Sequence, residues 1–271
     1  MSSIANSQLP PTIATLVDTH CHLDLVVFDA DRAEVLARAR EAGVSRVLIP
    51  ATDIASSRRV VALAEQHAEL RAAVGVHPNE AAAFSLETLA ELRDLACHPK
   101  VDAIGEIGID LYWRTVDLDK QQQAFRAQLE LAAELDRPVI VHDRDAHAEV
   151  LNGLGDVPPG AGVVLHAFSG DMAMAERALA AGYYLGVDGP LTYKKNEPLR
   201  EVFRAAPLEH ILIETDAPYL TPQARRGSRN EPAFVRYVAE KLAEVRASSI
   251  ARIAAATTAN AARLFRWELA E

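Results

Sequence analysis

The feature that most limits what this chain can fold into is a regular alternation of two kinds of segment. Eight short apolar runs recur along it, at 14–20, 44–51, 72–78, 101–108, 137–143, 162–168, 182–188 and 210–216, with a mean spacing of about 28 residues. They are rich in Val, Ile and Leu, and their near-continuous apolarity is that of parallel strands buried on both faces. The segments between them carry helical spacing. Residues 30–42 gather Ala33, Val35, Leu36, Ala39 and Ala42 largely on one side, and 118–135 repeats Phe125, Leu129 and Ala132 behind Asp117 at the N-cap position. Eight strand–helix units predict an α/β chain folded as a single (β/α)8 TIM barrel over 14–271, behind a flexible tail at 1–13. Residues 231–247 and 248–267 add two or three extra C-terminal helices. A doubly wound open sheet fits less well, because no GxGxxG follows the first run and no second domain is left over.

Composition narrows the classes further. Hydrophobic residues make up 49% and charged residues 24%, which excludes wholesale disorder. No apolar stretch reaches the ~18 residues of a membrane span, so no membrane partner is expected. The first residues have neither a basic lead nor an apolar run, so they do not read as a secretory signal. Two cysteines, Cys21 and Cys97, make no disulfide framework, and a cytoplasmic location is expected. The formal net charge of −10 argues against binding nucleic acid over the whole surface. An anionic substrate must be met locally, by metal ions or a few basic side chains.

The polar residues fall in a pattern. Of nine histidines, five (His20, His22, His77, His142 and His166) lie at the C-terminal ends of strands one, three, five and six. Glu106, Glu214 and Asp216 lie at the same ends of strands four and eight. That is the end at which a parallel barrel carries its active site. His67, His98, His147 and His210 fall elsewhere and read as surface or capping residues. Burying the first group with no cation leaves unpaired polar atoms at roughly 1–3 kcal/mol each. A metal centre satisfies them. His20 and His22, two apart, point the same way in an extended strand, with Cys21 turned into the packing. Imidazole and carboxylate donors suit Zn²⁺, Mn²⁺, Fe²⁺ or Ni²⁺ and also admit Mg²⁺. Six candidate ligands exceed the need of one catalytic zinc and suit two divalent metal ions about 3.5–4 Å apart, sharing a carboxylate.

The segments DTHCHLD (18–24), GVHP (75–78), GEIGID (105–110), PVIVHDRDA (138–146), LHAFSG (165–170), ETDAPYLTP (214–222), RRGSRNEP (225–232) and TTANAARLF (257–265) resemble the TatD family of metal-dependent deoxyribonucleases, of the amidohydrolase superfamily. The resemblance runs from about residue 15 to 266. It implies that His20, His22 and Asp216 hold one ion, that Glu106 bridges to a second, and that His142 and His166 hold that second ion. His77 then lies on the substrate side. Ile107 departs from the small or hydroxylated residue of many relatives, and its side chain is expected to point away from Glu106.

The implied activity is Mg²⁺-dependent hydrolysis of DNA phosphodiesters, from the 3′ end in several members, by a metal-activated water, with Asp216 and Glu106 as the catalytic carboxylates. Glu214 reads either as an orienting residue or as a salt-bridged one. Arg226 and Arg229 of RRGSRNEP are the expected phosphate contacts; Arg225, Lys194, Lys195, Arg144 and Arg114 lie in loops on the same side, and Tyr112, Trp113 and Tyr219 offer stacking faces. Weak binding of single-stranded or 3′ ends of DNA is expected, with no obligatory protein partner. The alternatives are a metallohydrolase of the superfamily acting on a small amide, lactone or phosphoester, an aminoacyl-tRNA deacylase, or a barrel kept only as a scaffold.

Overall fold

The structure, a computed structural model, describes residues 15–155 and 162–268. The tail expected at 1–13 lies outside them. Eight parallel strands follow one another around one sheet in chain order: β1 Leu16–Asp18, β2 Val44–Pro50, β3 Leu70–Val74, β4 Val101–Asp110, β5 Val139–Arg144, β6 Val163–Leu165, β7 Tyr184–Val187 and β8 Ile211–Ile213. Helices alternate with them: α1 Arg32–Glu41, α2 Ile54–Gln66, α3 Leu86–Ala96, α4 Leu118–Glu134, α5 His147–Leu154, α6 Met172–Ala180 and α7 Glu197–Ala205. Two more, α8 Val235–Val245 and α9 Ile250–Phe265, follow β8. This is the expected (β/α)8 barrel with its C-terminal helices. Among the described residues, no helix is long and apolar enough to cross a membrane.

Alternate residues of the strands face opposite ways. Val47, Ile49, Val74, Val141 and Ile213 turn outward into the large core shared with the helices. Val17, Leu48, Ala73, Ala103, Ile140, Val164, Tyr184 and Leu212, one from each strand, form a separate inner cluster with Leu264, Phe265 and Trp267. The end of α9 and the residue pair after it thus plug the N-terminal mouth of the barrel. Trp267 Nε1 donates to Asp102 Oδ2 at 2.5 Å, and the same carboxylate takes the Arg71 guanidinium. The opposite mouth stays open for polar residues.

Two irregularities position the polar groups. In β4 the register against β5 moves from Ile104↔Val139 to Ile107↔Val141, so one extra residue bulges out between them. After the bulge Ile107 and Ile109 join the outer core, while Glu106 and Asp110 share the inner face. Gly108 is needed there: its φ is +144°, and a Cβ would lie 2.0 Å from the His142 carbonyl oxygen. The second irregularity is the seam between the last and first strands. It has no regular ladder, only the bridge Cys21↔Ala217 and bonds such as Asp216 N–H to the His20 carbonyl at 2.8 Å. Buried Asp18 reinforces it, accepting from Thr215 N–H at 2.9 Å and Thr215 Oγ1 at 2.6 Å.

Candidate metal centre

The ligand-type side chains collect at the open mouth around Glu106. Its Oε1 lies 2.8 Å from His142 Nδ1 and 2.8 Å from His166 Nε2. Its Oε2 lies 3.4 Å from His20 Nε2 and 3.7 Å from His22 Nε2. Asp216 Oδ1 completes the second group, 3.6 Å from His20 and 3.4 Å from His22. One carboxylate therefore presents one oxygen to each of two clusters. His20 and His166 stack at 3.9 Å between ring centres, which brings the two clusters into contact. His20 and His22 sit past the end of β1, not within it, yet their Nε2 atoms converge to 3.3 Å. Cys21 is buried with Sγ 3.8 Å from the Ala217 carbonyl oxygen, as packing requires. Asp216, three residues past the end of β8, adopts φ 55°, a left-handed turn that aspartate tolerates.

Among the described residues three tight groups have the spacing to hold an ion: His20–Glu106–His166, His20–His22–Asp216, and His77–Glu106–His142. The six ligands expected from the sequence all fall in these groups, although His142 groups more closely with His77 than with His166. The two are not equivalent donors. His77 Nδ1 accepts the Asn79 amide at 3.1 Å, so the neutral ring carries its proton on Nε2, facing Glu106 at 3.6 Å. His142 Nε2 faces Asp110 Oδ2 at 3.1 Å, an acceptor only, so Nε2 is held as N–H, and Nδ1, 2.8 Å from Glu106 Oε1, is the nitrogen an ion would take in place of its proton. The donor set fits divalent ions: four imidazoles and two carboxylates converge within reach of one another.

Charge balances within the cluster. Burial pushes the Glu106 carboxyl up, but the His166 charge and the bonds from His142 and His166 outweigh it and hold it well below the usual range. Burial opposes protonation of His166, yet Glu106 and Glu214 raise it well above the ordinary histidine value. His142 is raised in the same way, Asp110 and Glu106 overcoming burial. His77 goes the other way, lowered to about 3 by burial and by the His142 charge. Asp216 is lowered because bonding to His22 and the charges of His20 and His22 outweigh its burial.

A cavity of about 470 Å³ opens over this cluster, lined among others by His77, Asp110, Trp113, Arg144, Asp216 and Tyr219. Trp113 and Tyr219 are 60% and 55% exposed at its rim. Arg144 lies over the Tyr112 ring at 4.3 Å. Arg226 and Arg229, the expected phosphate contacts, are not among its lining residues. Arg229 donates to both oxygens of Asp31 at 2.9 and 2.6 Å and to the Val27 carbonyl, and it stacks on Phe28 at 4.4 Å. In the same loop Glu231 takes Arg38 in a fork, and Asn230 donates to the Thr215 and Tyr219 carbonyls. Arg226 is exposed and sits over Tyr193 at 4.9 Å. Glu214 is fully buried, accepting from Ala167 N–H at 2.6 Å with His166 Nδ1 3.7 Å away.

Asp110 and Asp188 are absent from the sequence candidates. Asp188 is buried with Oδ2 unpartnered, and burial together with Glu214 pushes its carboxyl well up. Asp110 carried a legible signal: it lies four residues after Glu106, on the same face of an extended strand once β4 is allowed to run past Gly108.

A sequence model of the family described as "TatD related DNase" matches residues 17–266. The chain is 40% identical over 252 residues to "Uncharacterized metal-dependent hydrolase YabD" of Bacillus subtilis, covering 93% of this chain and 99% of that one. It is 39% identical over 257 residues to "3'-5' ssDNA/RNA exonuclease TatD" of Erwinia tasmaniensis, covering 92% and 99%. The crystal structure of YJJV, a TatD homolog from Escherichia coli, superposes with a TM-score of 0.88 at 37% identity, over 93% of this chain and 98% of that one.

Proposed function

Starting from the fact that the chain belongs to the TatD-related DNase family, and so to the metal-dependent hydrolases, we propose that it hydrolyses phosphodiester bonds of single-stranded nucleic acid from the 3′ end, at a centre of two divalent ions. The observation that carries this reading is Glu106 offering Oε1 to His142 and His166 and Oε2 to His20 and His22. His20, His22 and Asp216 would hold one ion, His142 and His166 the other, with Glu106 between them. Divalent ions bound there supply the Lewis acidity that makes water a nucleophile at neutral pH and that screens the phosphate.

The chain's own groups do the rest. Asp216, ionised because its bond to His22 and the charges of His20 and His22 outweigh its burial, takes the proton of the attacking water on its carboxylate. His77, neutral and with its proton on Nε2, donates into the cavity. Arg144, on the cavity wall, meets the phosphate, and Trp113 and Tyr219 offer flat faces to the terminal bases. A cavity of about 470 Å³ takes a terminal nucleotide and not a duplex, which supports the preference for single-stranded ends.

The test is a pair of oligonucleotides, one labelled at each end, incubated with Mg²⁺, Mn²⁺ or Zn²⁺. Shortening from the 3′ end is expected. Asp216→Asn should keep metal at near-normal stoichiometry when metal is in excess, and lose at least roughly 10²-fold in turnover. Turnover of small amides or lactones with no oligonucleotide cleavage would overturn the substrate assignment. Cleavage by Asp216→Asn within a few-fold of the parent would overturn the role of Asp216.

A further inference from the structure

We infer that Asp110 is a positioning residue, whose single carboxylate sets both which nitrogen His142 presents to the metal cluster and the shape of the aromatic turn at the cavity mouth. The inference rests on the reading of His142 as a metal ligand and of Trp113 as a wall of the substrate cavity.

The geometry divides the carboxylate into two working halves. Oδ2 faces His142 Nε2 at 3.1 Å and also accepts from Asn79 Nδ2 at 3.1 Å. Oδ1 accepts from the backbone N–H groups of Tyr112 and Trp113, each at 2.9 Å. The two N–H groups belong to the turn that follows β4 and carries Tyr112 and Trp113 to the rim. Asp110 itself is 1% exposed and cannot swing. Gln121 of α4 clamps its backbone, accepting from Asp110 N–H at 2.8 Å and donating to its carbonyl at 3.1 Å. The Asn79 amide is held in turn by Thr115 Oγ1 at 2.9 Å.

Two consequences follow from the chemistry of the acceptor. An ionised carboxylate accepts only, so Oδ2 requires N–H from His142 Nε2 and leaves Nδ1, the nitrogen facing Glu106, as the one that can give up its proton to an ion. Ligand imidazoles whose other nitrogen is held by a carboxylate lose roughly 10–100-fold in metal affinity when that carboxylate is removed. The N–H groups of residues 112 and 113, by contrast, need only an acceptor, which an amide oxygen also supplies. Asp110 therefore has one task that needs a carboxylate and one that does not, and the two separate by substitution.

Asp110→Asn keeps an acceptor for the turn but sets an amide NH₂ against His142 Nε2–H and the Asn79 NH₂. Asp110→Ala removes both functions. The experiment measures Zn²⁺ affinity by competition with a chromophoric chelator, and acrylamide quenching of Trp113 with Trp267, the other of two tryptophans, replaced by Phe. Asp110→Asn should bind Zn²⁺ roughly 10–100-fold more weakly, with parent-like quenching of Trp113. Asp110→Ala should show the same loss of affinity and markedly stronger quenching. Trp113→Ala should bind Zn²⁺ like the parent and raise KM for a single-stranded oligonucleotide.

Parent-like Zn²⁺ affinity in Asp110→Asn would overturn the inference. So would unchanged quenching in Asp110→Ala, and so would stronger quenching in Asp110→Asn. Neither readout uses turnover. A parent that cleaves no oligonucleotide therefore defeats the nuclease reading and leaves these results to decide the role of Asp110. If Asp110→Ala does not fold, Asp110→Asn still decides the metal half.

Discussion

Glu106→Gln is the substitution whose effect on the metal-free protein can be worked from the structure. The carboxylate makes two bonds at 2.8 Å, to His142 and His166, both of them imidazoles raised above the ordinary histidine value. A bond to a charged partner contributes about 1.5–3 kcal/mol and a neutral one about 0.5–1.5, so an amide gives up about 1–1.5 kcal/mol at each. The neutral amide also buries no charge, which offsets part of the loss. A net destabilisation of about 2 kcal/mol remains, or about 4–8 °C in Tm for a domain of this size.

The pH dependence has a definite sign. The folded values of His142 and His166 lie above the unfolded value near 6.5. Their contribution is therefore complete below about pH 6.5 and is lost as pH rises through the folded values. Glu106 is held below its usual range, so it remains ionised throughout that window. Parent and Glu106→Gln, both stripped with EDTA, should differ in melting by the full amount at pH 6 and converge as pH rises through the folded values of His142 and His166. Equal stability at pH 6, or a gap that widens with pH, would refute the charge assignment.

Metal uptake should release protons. The folded values of His142 and His166 are raised, and an ion must displace their protons, so calorimetry below pH 7 in buffers of different ionisation enthalpy should show protons released, roughly one per ring displaced, with affinity rising as pH is raised. No release would mean that these two rings are neutral or are not ligands. The two arginines of the loop after β8 should separate. Arg229→Ala should lower Tm by roughly 2–6 °C through loss of the Asp31 fork and the Phe28 stack, with the salt dependence of oligonucleotide binding unchanged. Arg226→Ala should leave Tm alone and reduce the logarithmic salt slope by about 0.7. A reduced slope in Arg229→Ala would make it a phosphate contact as well as a structural one.

The barrel was legible because its signal is long-range and repetitive: eight apolar runs at even spacing survive errors of a few residues at each end. The cluster around Glu106 was legible for a related reason, since strand ends in a parallel barrel all point to one mouth. What escaped the sequence depends on local backbone or on distant partners. The bulge in β4 shifts the alternation by one residue, and a strand stopped at Gly108 hides Asp110. Arg229 finds its partner Asp31 only after the barrel closes, 198 positions away along the chain. No spacing rule announces such a pair. Asp117 stands at the cap position of α4 as expected, but its side chain makes no capping bond.

The seam between β8 and β1 also sets when this molecule can become a hydrolase. Thr215 and Asp216 leave the ribosome about 195 residues after Asp18, His20 and His22, their partners across the seam. At translation rates of roughly 5–20 residues per second that interval is about 10–40 s, and the Trp267 plug comes later still. Throughout it the nascent chain holds only part of the ligand set, with the inner cluster open at its base. The cluster around Glu106 is thereby incomplete for as long as the chain is still being made.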